Sequence, residues 1–116
     1  MGFLESLSKR LPDHIPLLEA LGHLYTENGR IKDGLAMDLK LTSLCPKTPL
    51  YWYNLGCSYA LLDEVNPAFK ALEQAIGLGY HDVDWLRKDS DLDKLRKDPR
   101  FQKLIDMAGK SDHQAS

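Results

Sequence analysis

Tyr51-Trp52-Tyr53-Asn54-Leu55-Gly56-Cys57-Ser58-Tyr59 sets a Leu-Gly step among aromatic residues at helical spacing, and an echo lies upstream in Leu17-Leu18-Glu19-Ala20-Leu21-Gly22-His23-Leu24-Tyr25. The offset is constant, because 55 − 21, 56 − 22 and 59 − 25 each give 34, and Pro12 and Pro46 keep the same interval. A fixed period of this size marks stacked helical units, each too small to bury its apolar face alone. The fold class predicted is therefore all-α.

Apolar spacing and stop signals place the helices. Phe3, Leu4, Leu7 and Leu11 share one face of a short helix, with Glu5, Ser8 and Lys9 largely opposite. Asp13 is placed to cap the next helix, and Pro16 falls in its first turn, where the missing N–H is not needed. Leu17, Leu18, Leu21, Leu24 and Tyr25 form its stripe, and Asn28-Gly29 ends it. The helix from Ile31 to Leu44 carries Ile31, Leu35, Met37, Leu39, Leu41 and Leu44 around more than one face, as suits a helix packed between neighbours. Thr48 as cap and Pro49 as first helical residue open the aromatic helix, and Asn66-Pro67 opens the next. Ala68, Phe69, Leu72, Ala75 and Ile76 then point inward until Gly77-Leu78-Gly79 stops the helix.

After Tyr80 the period is lost. Trp85, Leu86, Leu92, Leu95, Phe101, Leu104 and Ile105 stand among interleaved acidic and basic residues, which reads as two or three short helices with Asp98-Pro99 as the clearest start. Such a polar exterior suits an element that closes a stack.

The second repeat spells W-x2-L-G-x2-Y with Trp52, Leu55, Gly56 and Tyr59, followed by Ala68 and Ala75. This resembles the tetratricopeptide repeat (TPR) family, well over residues 13 to 80 and loosely at the flanks. The resemblance divides the chain into an N-terminal helix like half a repeat (1–12), TPR 1 (13–46), TPR 2 (47–80), C-terminal capping helices (81–109) and a disordered tail (110–116). Departures from the family pattern are Leu18 for Trp, Gly34 for Ala and Asp38 for an aromatic in the first repeat. In the second, Asp63 stands for the turn Gly, Leu72 for an aromatic and Tyr80 for Pro. Asp38 reads as an edge residue reaching solvent.

The resemblance implies a TPR-type α-α superhelix of antiparallel helix pairs, with a concave groove that receives a peptide. On helical spacing, the faces left free by the packing residues present Glu19, His23, Thr26 and Glu27 in one repeat and Tyr53, Asn54, Cys57 and Leu61 in the other. Asn54 offers an amide donor and acceptor to a peptide backbone, the plain alternative being a solvated asparagine. One TPR subfamily grips a terminal carboxylate with Lys and Asn where Glu19 and His23 stand here. Glu19 would repel that group, so a carboxylate clamp is not expected.

No nucleophile-base pattern appears, and the expectation is a non-catalytic protein–protein interaction module. No cofactor and no metal are expected, since His14, His23, His81 and His113 share no ligand spacing. Cys45 and Cys57 read as reduced, buried thiols, hence a cytoplasmic setting. Fifteen Lys and Arg against seventeen Asp and Glu provide no pull toward nucleic acid, and no uncharged run approaches the ~20 residues of a membrane span. A protein or peptide partner is thus expected. The alternative is a structural role, a homodimer through the stripe of Phe3, Leu4, Leu7 and Leu11.

Overall fold

Breakers in the sequence cut the chain into its helices. The computed structural model describes residues 2–115, and the side chains of residues 2–110, and no strand occurs among the described residues. The order is α1 (Gly2–Arg10), α2 (Ile15–Glu27), α3 (Ile31–Leu44), α4 (Pro49–Leu61), α5 (Val65–Gly77), α6 (Val83–Lys88), a 3-10 helix (Ser90–Leu95) and α7 (Pro99–Ala115). Helix α7 continues to Ala115, over the stretch that the sequence reads as a tail, and Ser116 lies outside the described residues.

The 34-residue interval recurs in the backbone. Gly29 and Asp63, 34 apart, both take positive φ, of 77° and 62°. At each, two hydrogen bonds close the preceding helix: Gly29 N–H to Thr26 O and Arg30 N–H to Tyr25 O, then Asp63 N–H to Ala60 O and Glu64 N–H to Tyr59 O. Gly79, at φ 115°, ends α5 in the same way. These paired bonds satisfy carbonyls that a helix end leaves open. Aspartate tolerates the left-handed conformation better than most residues, so it can replace glycine at the second turn.

Helix starts differ more from the sequence reading. Asp13 does not cap α2: His14 occupies that position, and Asp13 faces Lys40 at 3.6 Å. Helix α5 begins at Val65, ahead of the expected Asn66-Pro67 cap, which leaves Asn66 Oδ1 to accept from Arg100 Nη1 at 2.9 Å. Pro67 is then in the first turn, where it costs no hydrogen bond.

Small residues set the helix contacts. A Cβ on Gly34 would meet Thr26 Oγ1 at 2.9 Å, while Gly22 faces Met37 Cβ at 3.5 Å, so α2 and α3 run antiparallel. Gly56 faces Leu72 and Ala68 in the same manner across α4 and α5. Helix α3 packs against α4, the 3-10 helix covers α4, and α7 packs on α5. Most of the core lies at this second end, where Tyr53, Phe69, Leu72, Leu86, Leu92, Leu95, Phe101 and Leu104 are buried. A smaller cluster of Leu17, Leu21 and Tyr25 takes Leu4 and Leu7 from α1. Leu39 and Leu44 remain exposed, so α3 is not covered all round.

Asp38 corrects the sequence reading most sharply. It is 8% exposed, and its carboxylate accepts a hydrogen bond from Ser58 Oγ at 2.6 Å, joining α3 to α4.

Candidate functional site

The free faces of α2 and α4 open onto one cavity of about 680 Å³. Glu19, His23, Thr26, Tyr53, Asn54, Cys57 and Leu61 all line it, whereas Glu27, exposed at the end of α2, does not. Their parts differ. Glu19, His23 and Asn54 are exposed at the mouth, and Thr26 and Leu61 are half-buried. The Thr26 hydroxyl is engaged within α2, donating to Gly22 O at 3.0 Å. Tyr53 and Cys57 are buried and form the floor, which leaves them little surface to offer an occupant.

A wall that the repeat pattern does not announce comes from the C-terminal segment: Tyr80, Asp82, Trp85, Asp89 and Asp91. It is tied to the floor at one point. Tyr53 Oη donates a short hydrogen bond to Asp89 Oδ2, Cys57 Sγ approaches the same oxygen at 3.8 Å, and the Tyr53 ring stacks on Tyr80 with centroids 4.5 Å apart. Burial, then the neighbouring Cys57 and the bond to Asp89, push the Tyr53 phenol far up, so it stays protonated and remains the donor. Asp89 Oδ1 also accepts the Asp91 N–H at 3.0 Å.

Arg96 fixes that segment in place. Its guanidinium donates to Leu86 O at 3.1 Å and to the carbonyls of Arg87 and Asp89, and its Nε reaches Asp93 Oδ1 at 3.0 Å. One planar fork thus gathers the end of α6 and the start of the 3-10 helix. Arg100 does the equivalent for α7: it pairs with Asp98 at 2.8 Å and lies over the Phe69 ring.

At the mouth, Tyr51 Oη donates to Glu19 Oε1 at 2.8 Å, linking α4 to α2 and, chiefly through that bond, pushing Tyr51 up to about 12. Deeper, burial pushes the Asp38 carboxyl up to about 6, against the opposing effects of the Ser58 hydrogen bond and His23. Burial, with Asp89 and Asp91, also pushes the Cys57 thiol up, opposite to the lowered value that makes a cysteine nucleophilic. Potential ligand atoms of Cys57, Asp89 and Asp91 lie within 4.8 Å of one another, and the Asp89 carboxylate among them already accepts from Tyr53. The lining thus combines a carboxylate-rich wall, several aromatic rings and an amide.

No family profile matches the chain. Among curated proteins it is similar to a chloroplastic protein of Arabidopsis thaliana, 31% identical over an aligned stretch of 87 positions that covers 72% of this chain and 26% of that protein. The chain thus spans about a quarter of the length of the relative it matches.

Proposed function

We propose that this chain is a tetratricopeptide-type interaction module of two repeats, which holds a peptide or protein segment in the groove between α2 and α4 without catalysing a reaction. The observation that carries the reading is the convergence of repeat-equivalent faces of α2 and α4 on one cavity, with Asn54, His23 and Glu19 exposed at its mouth. The 34-residue recurrence of motif and turn supports the same assignment. With two repeats the contact is below ~1,200 Å², the size of weak, transient complexes. Asn54→Ala and His23→Ala test it, because both side chains are exposed and their loss leaves the core intact. Peptides selected on the wild-type protein from an unbiased display library should lose roughly tenfold in affinity against each variant. Unchanged affinity with both variants places the binding site elsewhere.

A second reading rests on Phe3, which is 77% exposed at the outer edge of α1. Leu4 and Leu7 turn inward, so the patch is smaller than the sequence stripe, but Phe3 and Leu11 still offer apolar surface for a two-fold contact. Sedimentation across a concentration series decides it: a dimer that Phe3→Glu abolishes supports self-association, and a monomer throughout ends it.

A further inference from the structure

Building on the groove reading, we infer that the segment held there inserts a lysine or arginine side chain toward the wall carrying Asp82, Asp91 and Trp85. The cavity is lined by five carboxylates, Glu19, Asp38, Asp82, Asp89 and Asp91, and by no lysine or arginine. The chain as a whole carries a formal charge of only −2, so this is a local concentration of negative charge. Internal bonds engage four of the five, since Glu19 accepts from Tyr51, Asp38 from Ser58, Asp82 from the Trp85 N–H and Asp89 from Tyr53. Asp91 differs. It is half-buried, and burial, then the charges of Asp89 and Asp93, raise its carboxyl, so the protein itself leaves this anion poorly accommodated. A cation brought by a partner relieves that unfavourable environment, whereas an acidic segment worsens it.

The aromatic lining points the same way. Trp85 is 47% exposed at the cavity wall, and Tyr80 also lines the cavity, with its ring stacked on Tyr53. Ammonium and guanidinium groups are drawn to exposed aromatic faces, so carboxylates and indole together favour a basic side chain over a neutral polar one.

The test uses the full chain and an unbiased linear-peptide display library, followed by titration of the best peptide and of a copy whose basic residues are replaced by glutamine. The expected result is a basic residue at one fixed position, a roughly tenfold loss on its replacement, and affinity that falls as salt rises. Asp91→Asn should erase the preference for the basic peptide over its glutamine copy, while Asn54→Ala should weaken both. Asp82→Asn, which preserves an N-cap side chain for α6, is the second variant should Asp91→Asn fail to fold. Selected peptides that depend on Asn54 and His23 but lack a required basic residue overturn this inference and leave the groove reading standing. Binding that needs an added divalent cation, and is lost in EDTA, also overturns it. No enrichment, or peptides indifferent to Asn54→Ala and His23→Ala, defeats the groove reading and this inference with it.

Discussion

Gly22 and Gly56 occupy the same place in the motif, yet they are held there for different reasons. A Cβ on Gly56 would come within 2.7 Å and 2.8 Å of Leu72 Cγ and Cδ2, and 3.3 Å of Ala68 O. Leu72 is fully buried, so the clash cannot be relieved by a swing into solvent, and Gly56→Ala is expected to cost ~1–3 kcal/mol despite the helix propensity of alanine. Gly22 meets only Met37 Cβ at 3.5 Å and Asp38 Oδ1 at 3.9 Å, ordinary contacts. There propensity decides, and Gly22→Ala is expected to be neutral or stabilising by up to ~1 kcal/mol. Urea unfolding of both variants checks this, and a stabilised Gly56→Ala would refute the packing account. Asp38 gives a second test. Its folded value of about 6 lies above the ordinary 3.8, so the folded state holds the proton more tightly and its contribution to stability falls as pH rises between the two. Relative to Asp38→Asn, which keeps an oxygen for Ser58, the wild-type protein should lose up to ~3 kcal/mol from about pH 4 to 7. Parallel stability–pH curves for the two proteins would show that Asp38 does not titrate in this way.

Helix boundaries were readable where the cause is local and obscure where it is distant. Prolines, Gly29 and Gly79 declare themselves in sequence, and Asp63 takes the turn position one period after Gly29. Asp13 and Asn66 look like caps because a cap is a neighbour effect, but their side chains face Lys40 and Arg100 instead. Asp38 escaped for the same reason, its partner Ser58 lying twenty residues on. The groove divides likewise: helical spacing finds the α2 and α4 faces, whereas the wall from Tyr80 to Asp91 lies where the period has stopped. That wall depends on Arg96. Arg96→Met should leave three carbonyls without their guanidinium donor and destabilise by ~1–3 kcal/mol, with faster proteolysis between residues 87 and 97. Arg96→Lys should rescue little, because an ammonium cannot fork across several acceptors. Unaltered proteolysis in Arg96→Met would refute this role.

Helices packed mainly against their neighbours in sequence can open from one side, one at a time. Here the two ends are unlike. Helix α1 has no buried residue and attaches through Leu4, Leu7 and the Glu5 carboxylate, which accepts from Tyr25 Oη at 2.7 Å. At the other end, the segment from α6 to α7 shares its core with α4 and α5, and the buried Tyr53–Asp89 bond stitches together residues 36 apart. The molecule should therefore unzip in one direction. Amide hydrogen exchange is expected to be fastest in α1, slower in α2 and slowest from α4 to the start of α7, as a gradient of opening free energies rather than one global event. Tyr53→Phe removes the stitch while keeping the ring, and should flatten that gradient by admitting exchange from the C-terminal side. The phenol that floors the groove is thus expected to act also as a latch on the unfolding pathway, determining which side of the helical stack opens first.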